Sequence, residues 1–189
     1  MDHDVTLTGF NCRLRPVRAD DAEFIVDIRN QPAAKGFIHE TPNSVELQRS
    51  WIERYLSRPG DYYWVIENAS SGHDIGLVGL YDITESGDEA MPGRWVMHPQ
   101  SEVNGMAPVF LVYRFAFETL RVNRLVMTVM PENKRVLRFH KLYGAQPISC
   151  PERYERQEQE SGIYQLWFEI TQDIWGHMRS VWEPILKAY

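Results

Sequence analysis

The most constraining feature of this sequence is the run of residues 124–145, which combines a strand pattern with a capped helix. Its first part alternates apolar side chains, is rich in β-branched residues and stops at Pro131, which predicts a buried strand. Asn133 can then cap a helix, and Gly144 stands where a helix commonly ends. The buried positions of that helix follow helical spacing and comprise Val136, Leu137, His140 and Tyr143. A strand leading through a short turn into a capped helix is therefore expected.

Similar patterns elsewhere predict a mixture of helices and strands. Strands are expected at residues 12–17, 62–67, 74–81, 93–98 and 163–170. Helices are expected after caps at Asp20 and Asn43, each followed three residues later by Glu, and from Pro108 onwards. Residues 146–162 are polar and predict a solvated loop, while residues 172–189 predict a tail helix that Pro184 kinks or ends.

The bulk properties exclude several classes of partner. A chain of 189 residues fits a single domain, taken as residues 1–189 with the tail helix as an appended element. The formal net charge of -6 argues against nucleic acid as a partner, because phosphate binding needs surplus Lys and Arg. No apolar run approaches the ~18 residues of a membrane span. The acidic start lacks a secretion pattern, so a cytoplasmic protein with free thiols at Cys12 and Cys150 is expected.

Two helix starts suggest anion sites. The loop at residues 104–108 and the turn at Asn133 each precede a helix, where unpaired N–H groups and the helix dipole favour negative charge. Taken by itself, the loop at residues 104–108 is consistent with an ordinary loop that binds nothing. If the strands before the two helices are parallel neighbours, both helix starts open at one edge of the sheet. Together they would then suit an extended phosphorylated ligand.

The run Asn133-x-x-Val-Leu-x-Phe-His140-x-x-x-Gly144-Ala145, preceded by Gly105-x-Ala107, resembles the GCN5-related N-acetyltransferases. In that family the usual run is Asn-x-x-Ala-x-x-Leu-Tyr-x-x-x-Gly-Phe. The resemblance covers residues 14–170 in element order. It implies an α+β (mixed α/β) fold with a central, mostly antiparallel twisted sheet, one splayed parallel strand pair and helices on both faces.

The resemblance also implies a cofactor and its contacts. Acetyl-coenzyme A, or another short acyl-coenzyme A, would be the co-substrate, and no metal is implied. The residues that would contact it are Val96 and Met97 for the pantetheine arm, Asn104, Gly105, Met106 and Ala107 for the pyrophosphate, and Asn133 for the pantetheine or phosphate end. Arg138 belongs to a basic helix stripe with Lys134 and Lys141, which is either a solvated face or a contact to the adenosine phosphate. An N–H near Met97 would meet the oxyanion. Glu102 departs from the family pattern, because it puts a carboxylate where Gln or Arg is usual.

His140 is the candidate catalytic acid, because it occupies the family's tyrosine position and its unperturbed pKa lies near working pH. The alternative is a packed helix histidine whose ring nitrogen bonds the backbone. Tyr143, one turn further on, is the second candidate donor. Ala145 replaces the usual Phe and would open space beside the reacting centre.

The acceptor residues are less sharply determined. Substrate contacts are expected from Arg29, Asn30, Glu40, Tyr81 and Asp82. Asp82, Glu85, His39 and Glu40 are candidate general bases, as is a water chain. The run that begins at Asn133, with Arg29 and Asn30 after the first helix, looks most like family members that act on nucleotide-linked amino sugars. The resemblance therefore favours as acceptor the amine of a nucleotide-linked (dTDP or UDP) amino deoxysugar used for surface polysaccharides. The alternatives are a protein N-terminus or side-chain amine, a small free amine, and a non-catalytic acyl-coenzyme A sensor. A homodimer through the last strand and tail helix is also expected.

Overall fold

The computed structural model describes residues 4–32, 34, 36–38 and 41–188, and in this part eight strands and six α-helices follow one another. The strands are β1 Leu7–Gly9, β2 Cys12–Pro16, β3 Tyr62–Asn68, β4 Asp74–Tyr81, β5 Glu89–Met97, β6 Arg124–Val129, β7 Gln146–Ile148 and β8 Leu166–Thr171. The helices are α1 Ala22–Arg29, α2 Val45–Tyr55, α3 Met106–Arg114, α4 Lys134–Leu142, α5 Glu152–Ser161 and α6 Gln172–Lys187.

The strands form one sheet in the order β1-β2-β3-β4-β5-β6-β8-β7. Every neighbouring pair is antiparallel except β5 and β6, which are parallel. The predicted α+β fold with a mostly antiparallel sheet and one parallel pair is therefore confirmed. β8 is paired with β6 along its whole length and with β7 at residues 167–169, so only a short part of one edge is left for the predicted dimer. On α6, Val181 and Ile185 are exposed.

Helices cover both faces of the sheet. On one face, α3 and α6 contribute Phe110 and Trp175 to the main core, and Tyr143, which follows α4, belongs to the same core. α1 and α2 form a second core on the other face. α5 lies on this second face, because its Tyr154 shares a cluster with Val126 of β6. The neighbours of Val126 in β6, Leu125 and Met127, belong to the main core, and successive strand residues face opposite sides.

The predicted strand and capped helix at residues 124–145 are confirmed as β6 and α4. The side-chain oxygen of Asn133 accepts a hydrogen bond from the Val136 N–H at 3.2 Å. Gly144 ends the helix with φ of +70°, a backbone conformation that costs glycine little.

The prediction of a loop at residues 146–162 is wrong, because the segment forms β7 and α5. Its polar composition is that of a solvated helix in which Tyr154 is the buried residue. Glu152 and Glu155 lie in the first turn, where the helix dipole favours acids, and Arg156 pairs with Glu160 one turn on. Polarity alone cannot separate such a helix from a loop.

Several boundaries also differ from the predictions. Asp20 does not cap α1; the Asp21 carboxylate instead accepts from the Arg18 N–H at 2.7 Å. Ser44, rather than Asn43, caps α2 through a 3.3 Å bond from the Leu47 N–H. α3 begins before Pro108, β5 begins before residue 93, and β1 adds an edge strand. α6 continues through Pro184 to Lys187 and buries Trp175, Met178 and Leu186 in the main core.

Cys12 and Cys150 are free cysteines, as predicted. Among the described residues, no helix combines the length and apolar character needed to cross a bilayer.

Candidate active site

The parallel strands β5 and β6 separate soon after they pair. Their register contains two residue pairs, Glu89 with Arg124 and Ala90 with Leu125. Beyond Ala90 the strands diverge, and a cavity of about 540 Å³ opens between residues 91–95 of β5 and residues 127–130. We refer to this cavity as the slot. The splayed strand pair expected from the sequence is therefore present.

The slot reaches both faces of the sheet. On the α3 and α4 side it is lined by Val109, Val112, Tyr113, Val136, Phe139 and His140. On the opposite face it is lined by Arg29, Phe37, Ile38, Tyr81 and Arg94. Ile163 and Gln165, which lie between α5 and β8, complete the wall. The slot is thus lined by residues from both faces of the sheet.

Asn133 lines the slot at the start of α4, where it caps the helix. Its side-chain oxygen is used by that cap, so its amide N–H groups remain to meet a ligand. The cap is confirmed, whereas the predicted contact of Asn133 with a coenzyme stays a prediction.

The start of α3 is partly satisfied by its own loop. The Asn104 side chain accepts from the Met106 N–H at 3.0 Å, and the Asn104 carbonyl accepts from the Ala107 N–H at 2.9 Å. These two N–H groups are therefore already bonded. Within the described chain the Gly105 N–H has no hydrogen-bond partner. Glu102 has an exposed side chain and belongs to neither contact.

The ends of β5 and of this loop lie together. A Cβ placed on Gly105 would lie 3.5 Å from the Met97 sulfur and 3.6 Å from the Trp95 ring. Val96 and Met97 pair with Leu77 and Gly76 of β4, while the edge of β5 that faces β6 has no strand partner beyond Ala90. The side chains of Val96 and Met97 do not line the slot. The predicted contact of these two residues with a pantetheine arm therefore involves their backbone groups.

His140 lines the slot and is 7% exposed. Its ring stacks on Phe168, with 5.5 Å between ring centres, and meets Phe139 edge-on at 5.7 Å. Nδ1 is buried without a hydrogen-bond partner in the described chain. Burial lowers the pKa of His140 to about 4, so the imidazole is neutral at pH 7.

Tyr143 is fully buried and does not line the slot. Its hydroxyl donates to the Met106 carbonyl at 3.3 Å, and its ring stacks on Trp182 with 5.5 Å between centres. Burial raises the pKa of this phenol. The structure therefore brings His140, but not Tyr143, to the slot.

The predicted acceptor residues are only partly brought together. Arg29 lines the slot and donates to the Thr41 hydroxyl at 2.6 Å, and Tyr81 also lines it. Asn30 instead donates to the Val26 carbonyl at 2.9 Å, at the end of α1. Asp82 is exposed and does not line the slot.

The candidate bases and the basic residues of α4 lie elsewhere. His39 and Glu40 lie outside the described residues, and Glu85 is exposed. Arg138 shares an exposed basic stripe with Lys134, Arg135 and Lys141, and it does not line the slot.

Arg94 is a slot residue that the sequence predictions missed. It lies at a register shift between β4 and β5 with φ of +53°, and it bonds the Asp61 carboxylate at 2.7 and 3.0 Å. Aromatic rings surround its guanidinium, with centres 4.3 to 6.0 Å away, and belong to Tyr81, Tyr55, Tyr63 and Trp51. Trp64, like Tyr63, is core rather than slot lining. No local pattern marks Arg94, because its partner Asp61 is 33 residues away.

Carboxylates do not line the described part of the slot. The described residues also contain no group of three or more His, Cys, Asp or Glu side chains arranged to hold a metal ion. The described lining of the slot therefore supplies two guanidinium groups, one neutral imidazole, the side-chain amides of Asn133 and Gln165, the Thr128 hydroxyl, aromatic rings and backbone amides.

Comparison with known proteins identifies the family. The acetyltransferase (GNAT) domain family matches residues 11–146. Apo FdhC, described as a nucleotide-linked sugar GNAT, is 25% identical with a TM-score of 0.81, covering 97% of this chain and 99% of its own. A GCN5-related N-acetyltransferase from Brucella melitensis is 16% identical with a TM-score of 0.79, covering 97% and 86%. A mutant form of the spermidine N-acetyltransferase SpeG from Vibrio cholerae is 17% identical with a TM-score of 0.69, covering 88% and 97%.

No curated protein sequence matches the chain. The family match nevertheless spans most of the sequence and coincides with the sheet, the splayed pair and the slot. The chain belongs to the GNAT acetyltransferase family.

Proposed function

We propose that this protein transfers an acetyl or short acyl group from coenzyme A to the amine of a nucleotide-linked amino deoxysugar. The observation that carries the proposal is the slot itself. On one face it presents a capped helix start and His140, and on the other it presents Arg29, Arg94 and Tyr81. A thioester and a charged acceptor would enter from opposite faces and meet between β5 and β6.

The coenzyme side fits an extended thioester arm. Past Ala90, the open edge of β5 runs for seven residues, or roughly 23 Å at about 3.3 Å per residue. Backbone groups at Val96 and Met97 can pair with the arm as an added strand would. The free Gly105 N–H and the start of α3 favour the pyrophosphate. Arg138 would contact the adenosine phosphate from the exposed stripe on α4.

The reaction needs stabilisation of the departing sulfur. The acceptor nitrogen attacks the thioester carbon, the carbon–sulfur bond breaks, and the thiolate takes up the proton that the amine loses. With a pKa of about 4, His140 holds no spare proton at pH 7. We therefore assign it a hydrogen bond from Nε2–H to the sulfur, which stabilises the negative charge as it develops. An N–H near Met97 would serve the carbonyl oxygen.

The acceptor side favours a substrate that carries negative charge. Two guanidinium groups and no described carboxylate line it. Because the Asp61 carboxylate neutralises Arg94, the attraction for an anionic group such as a diphosphate comes mainly from Arg29. Tyr81 offers a ring on which a base can stack. The printed description of FdhC as a nucleotide-linked sugar GNAT supports the same acceptor class. Asn30, Asp82 and Glu40 are not required by this proposal.

The test is thiol release from acetyl-coenzyme A across a panel of amines. The panel contains dTDP- and UDP-linked 3-amino and 4-amino deoxysugars, spermidine, and a peptide with a free N-terminus. Turnover with a sugar nucleotide alone supports the proposal. Turnover with the peptide or spermidine alone replaces it with those acceptors. Binding of acetyl-coenzyme A without turnover of any amine, seen by calorimetry, would instead indicate a coenzyme-binding domain.

A further inference from the structure

A buried carboxylate marks the point where the two parallel strands separate. Glu89 is 6% exposed and belongs to the first of the two residue pairs that join β5 to β6. One of its oxygens is 2.6 Å from the Arg124 guanidinium, across the strand pair. The other is 2.7 Å from Nε of Arg153, which belongs to α5, and this contact is an ion pair without hydrogen-bond geometry. Glu89 thus ties α5 to the closed end of the slot.

Arg153 also fixes a second segment. It donates to the Asp82 carbonyl at 3.0 Å, in the turn after β4, and Asp82 has φ of +50°. Its guanidinium lies 4.5 Å from the centre of the Tyr154 ring. A single side chain therefore joins α5, the start of β5 and the turn that follows Tyr81.

Besides Arg153, α5 is held by a hydrogen bond to β8, in which the Trp167 indole N–H donates to the Glu158 carboxylate at 2.9 Å, and by one buried side chain. Tyr154 is its buried residue, and the other members of its cluster include Met91 and Tyr81, both of which line the slot. The chain that leaves α5 supplies Ile163 and Gln165 to the slot wall. The position of this wall therefore depends on how α5 is attached.

We infer that Arg153 is a positioning residue for the acceptor side of the slot. By binding Glu89 and the Asp82 carbonyl together, it sets where α5 lies and hence where Ile163 and Gln165 meet the acceptor. It does not touch the coenzyme side, which lies on the other face. The identity of the acceptor in this inference rests on the proposed function. The attachment of α5 by Arg153 is independent of it.

The experiment compares Arg153→Ala with Arg156→Ala. Arg156 lies on the same helix, exposed and paired with Glu160. For Arg153→Ala we expect at least a tenfold rise in KM for a dTDP-linked amino deoxysugar. The dissociation constant of acetyl-coenzyme A should stay within twofold, and amide hydrogen exchange at residues 158–166 should quicken. Arg156→Ala should match the wild type in all three. Arg153→Lys, which keeps charge but lacks the guanidinium fork, should fall between them.

The outcomes separate the two proposals. Unchanged hydrogen exchange at residues 158–166 in Arg153→Ala overturns the inference, whatever the acceptor. An unchanged KM for the acceptor also overturns it. The same holds if the dissociation constant of acetyl-coenzyme A rises as much as the KM for the acceptor. If the wild type turns over no sugar nucleotide, the proposed function is wrong, while hydrogen exchange still decides whether Arg153 holds α5. If Arg153→Ala does not fold, Arg153→Lys carries the same measurements.

Discussion

The Arg94 guanidinium lies 4.3 Å from the centre of the Tyr81 ring, and both side chains line the slot. Arg94 is held in this position by its two bonds to the Asp61 carboxylate. Gly93 leaves the space that Tyr81 occupies, because a Cβ on Gly93 would lie 2.5 Å from the Tyr81 hydroxyl. This part of the slot wall is therefore built from a guanidinium paired with a carboxylate, an aromatic ring and a glycine.

Removing Arg94 should destabilise the fold. Arg94→Met leaves the Asp61 carboxylate, 14% exposed, without its cation, and we expect a loss of about 3 kcal/mol in the free energy of unfolding. Urea unfolding measures it, with Arg156→Ala as the control. The double variant Arg94→Met with Asp61→Asn should recover at least half of the loss. Equal stability of Arg94→Met and the wild type would show that the pair is not structurally coupled.

Gly93→Ala should impair the acceptor and spare the coenzyme. The new methyl group displaces the Tyr81 ring, which is packed against Arg94 and cannot move freely. We expect acceptor KM to rise about tenfold, the effect of roughly 1.4 kcal/mol in binding, while the acetyl-coenzyme A dissociation constant stays unchanged. Gly176→Ala is the matched control, because a Cβ at Gly176 meets nothing within 4 Å. An equal KM for the acceptor in both variants would show that Tyr81 does not contact the acceptor.

The sequence predicted the strand and helix at residues 124–145 well because their signals are local. Alternation in β6, the Asn133 cap and Gly144 each act within a few residues of the chain. The same local logic placed the cap of α2 one residue too early, at Asn43 rather than Ser44, since both residue types cap helices. It also missed α5, whose polar composition suits a loop as well as a solvated helix.

The missing parts of the site depend on contacts between distant segments. Arg94 needs Asp61 and a shift of register between β4 and β5. The pKa of His140 is lowered by burial, to which Phe168 from β8 contributes, and the unperturbed value used to predict a general acid does not include this effect. The spacing of residues along one segment predicts neither the burial of a side chain nor its partner across the sheet.

Asn133 should have separable roles in the helix and in ligand binding. Asn133→Ala removes the cap of α4 and should cost about 1 kcal/mol in the free energy of unfolding. Asn133→Ser keeps a capping oxygen but loses the amide N–H groups, so its stability should match the wild type. Its acetyl-coenzyme A dissociation constant, measured by calorimetry, should still rise severalfold. If Asn133→Ser binds the coenzyme as the wild type does, Asn133 is a cap alone.

His140 should make folding stability depend on pH between about 4 and 6.5. The unfolded chain takes up a proton near pH 6.5, whereas the folded chain keeps this imidazole neutral down to about pH 4. Its contribution is therefore complete above pH 6.5 and falls by about 3 kcal/mol as the pH drops to 4. Unfolding of the wild type and of His140→Phe, measured at several pH values, isolates this slope. Parallel curves for the two proteins would mean that His140 titrates normally in the fold.

The catalytic assignment of His140 can be tested through the hydrogen bond that it is proposed to donate. His140→Phe retains a ring against Phe168 but has no N–H, and we expect turnover to fall at least tenfold, because a hydrogen bond to a charged group contributes about 1.5–3 kcal/mol. The acetyl-coenzyme A dissociation constant should change less than threefold. His140→Gln, which offers an amide N–H, should retain more turnover than His140→Phe. Since the wild-type imidazole is already neutral at pH 5.5, His140 should produce no ionisation near pH 6.5 in the pH dependence of kcat. A limb near pH 6.5 that His140→Phe abolishes would instead restore the imidazolium as the acid, and equal turnover of all three proteins would remove His140 from the reaction.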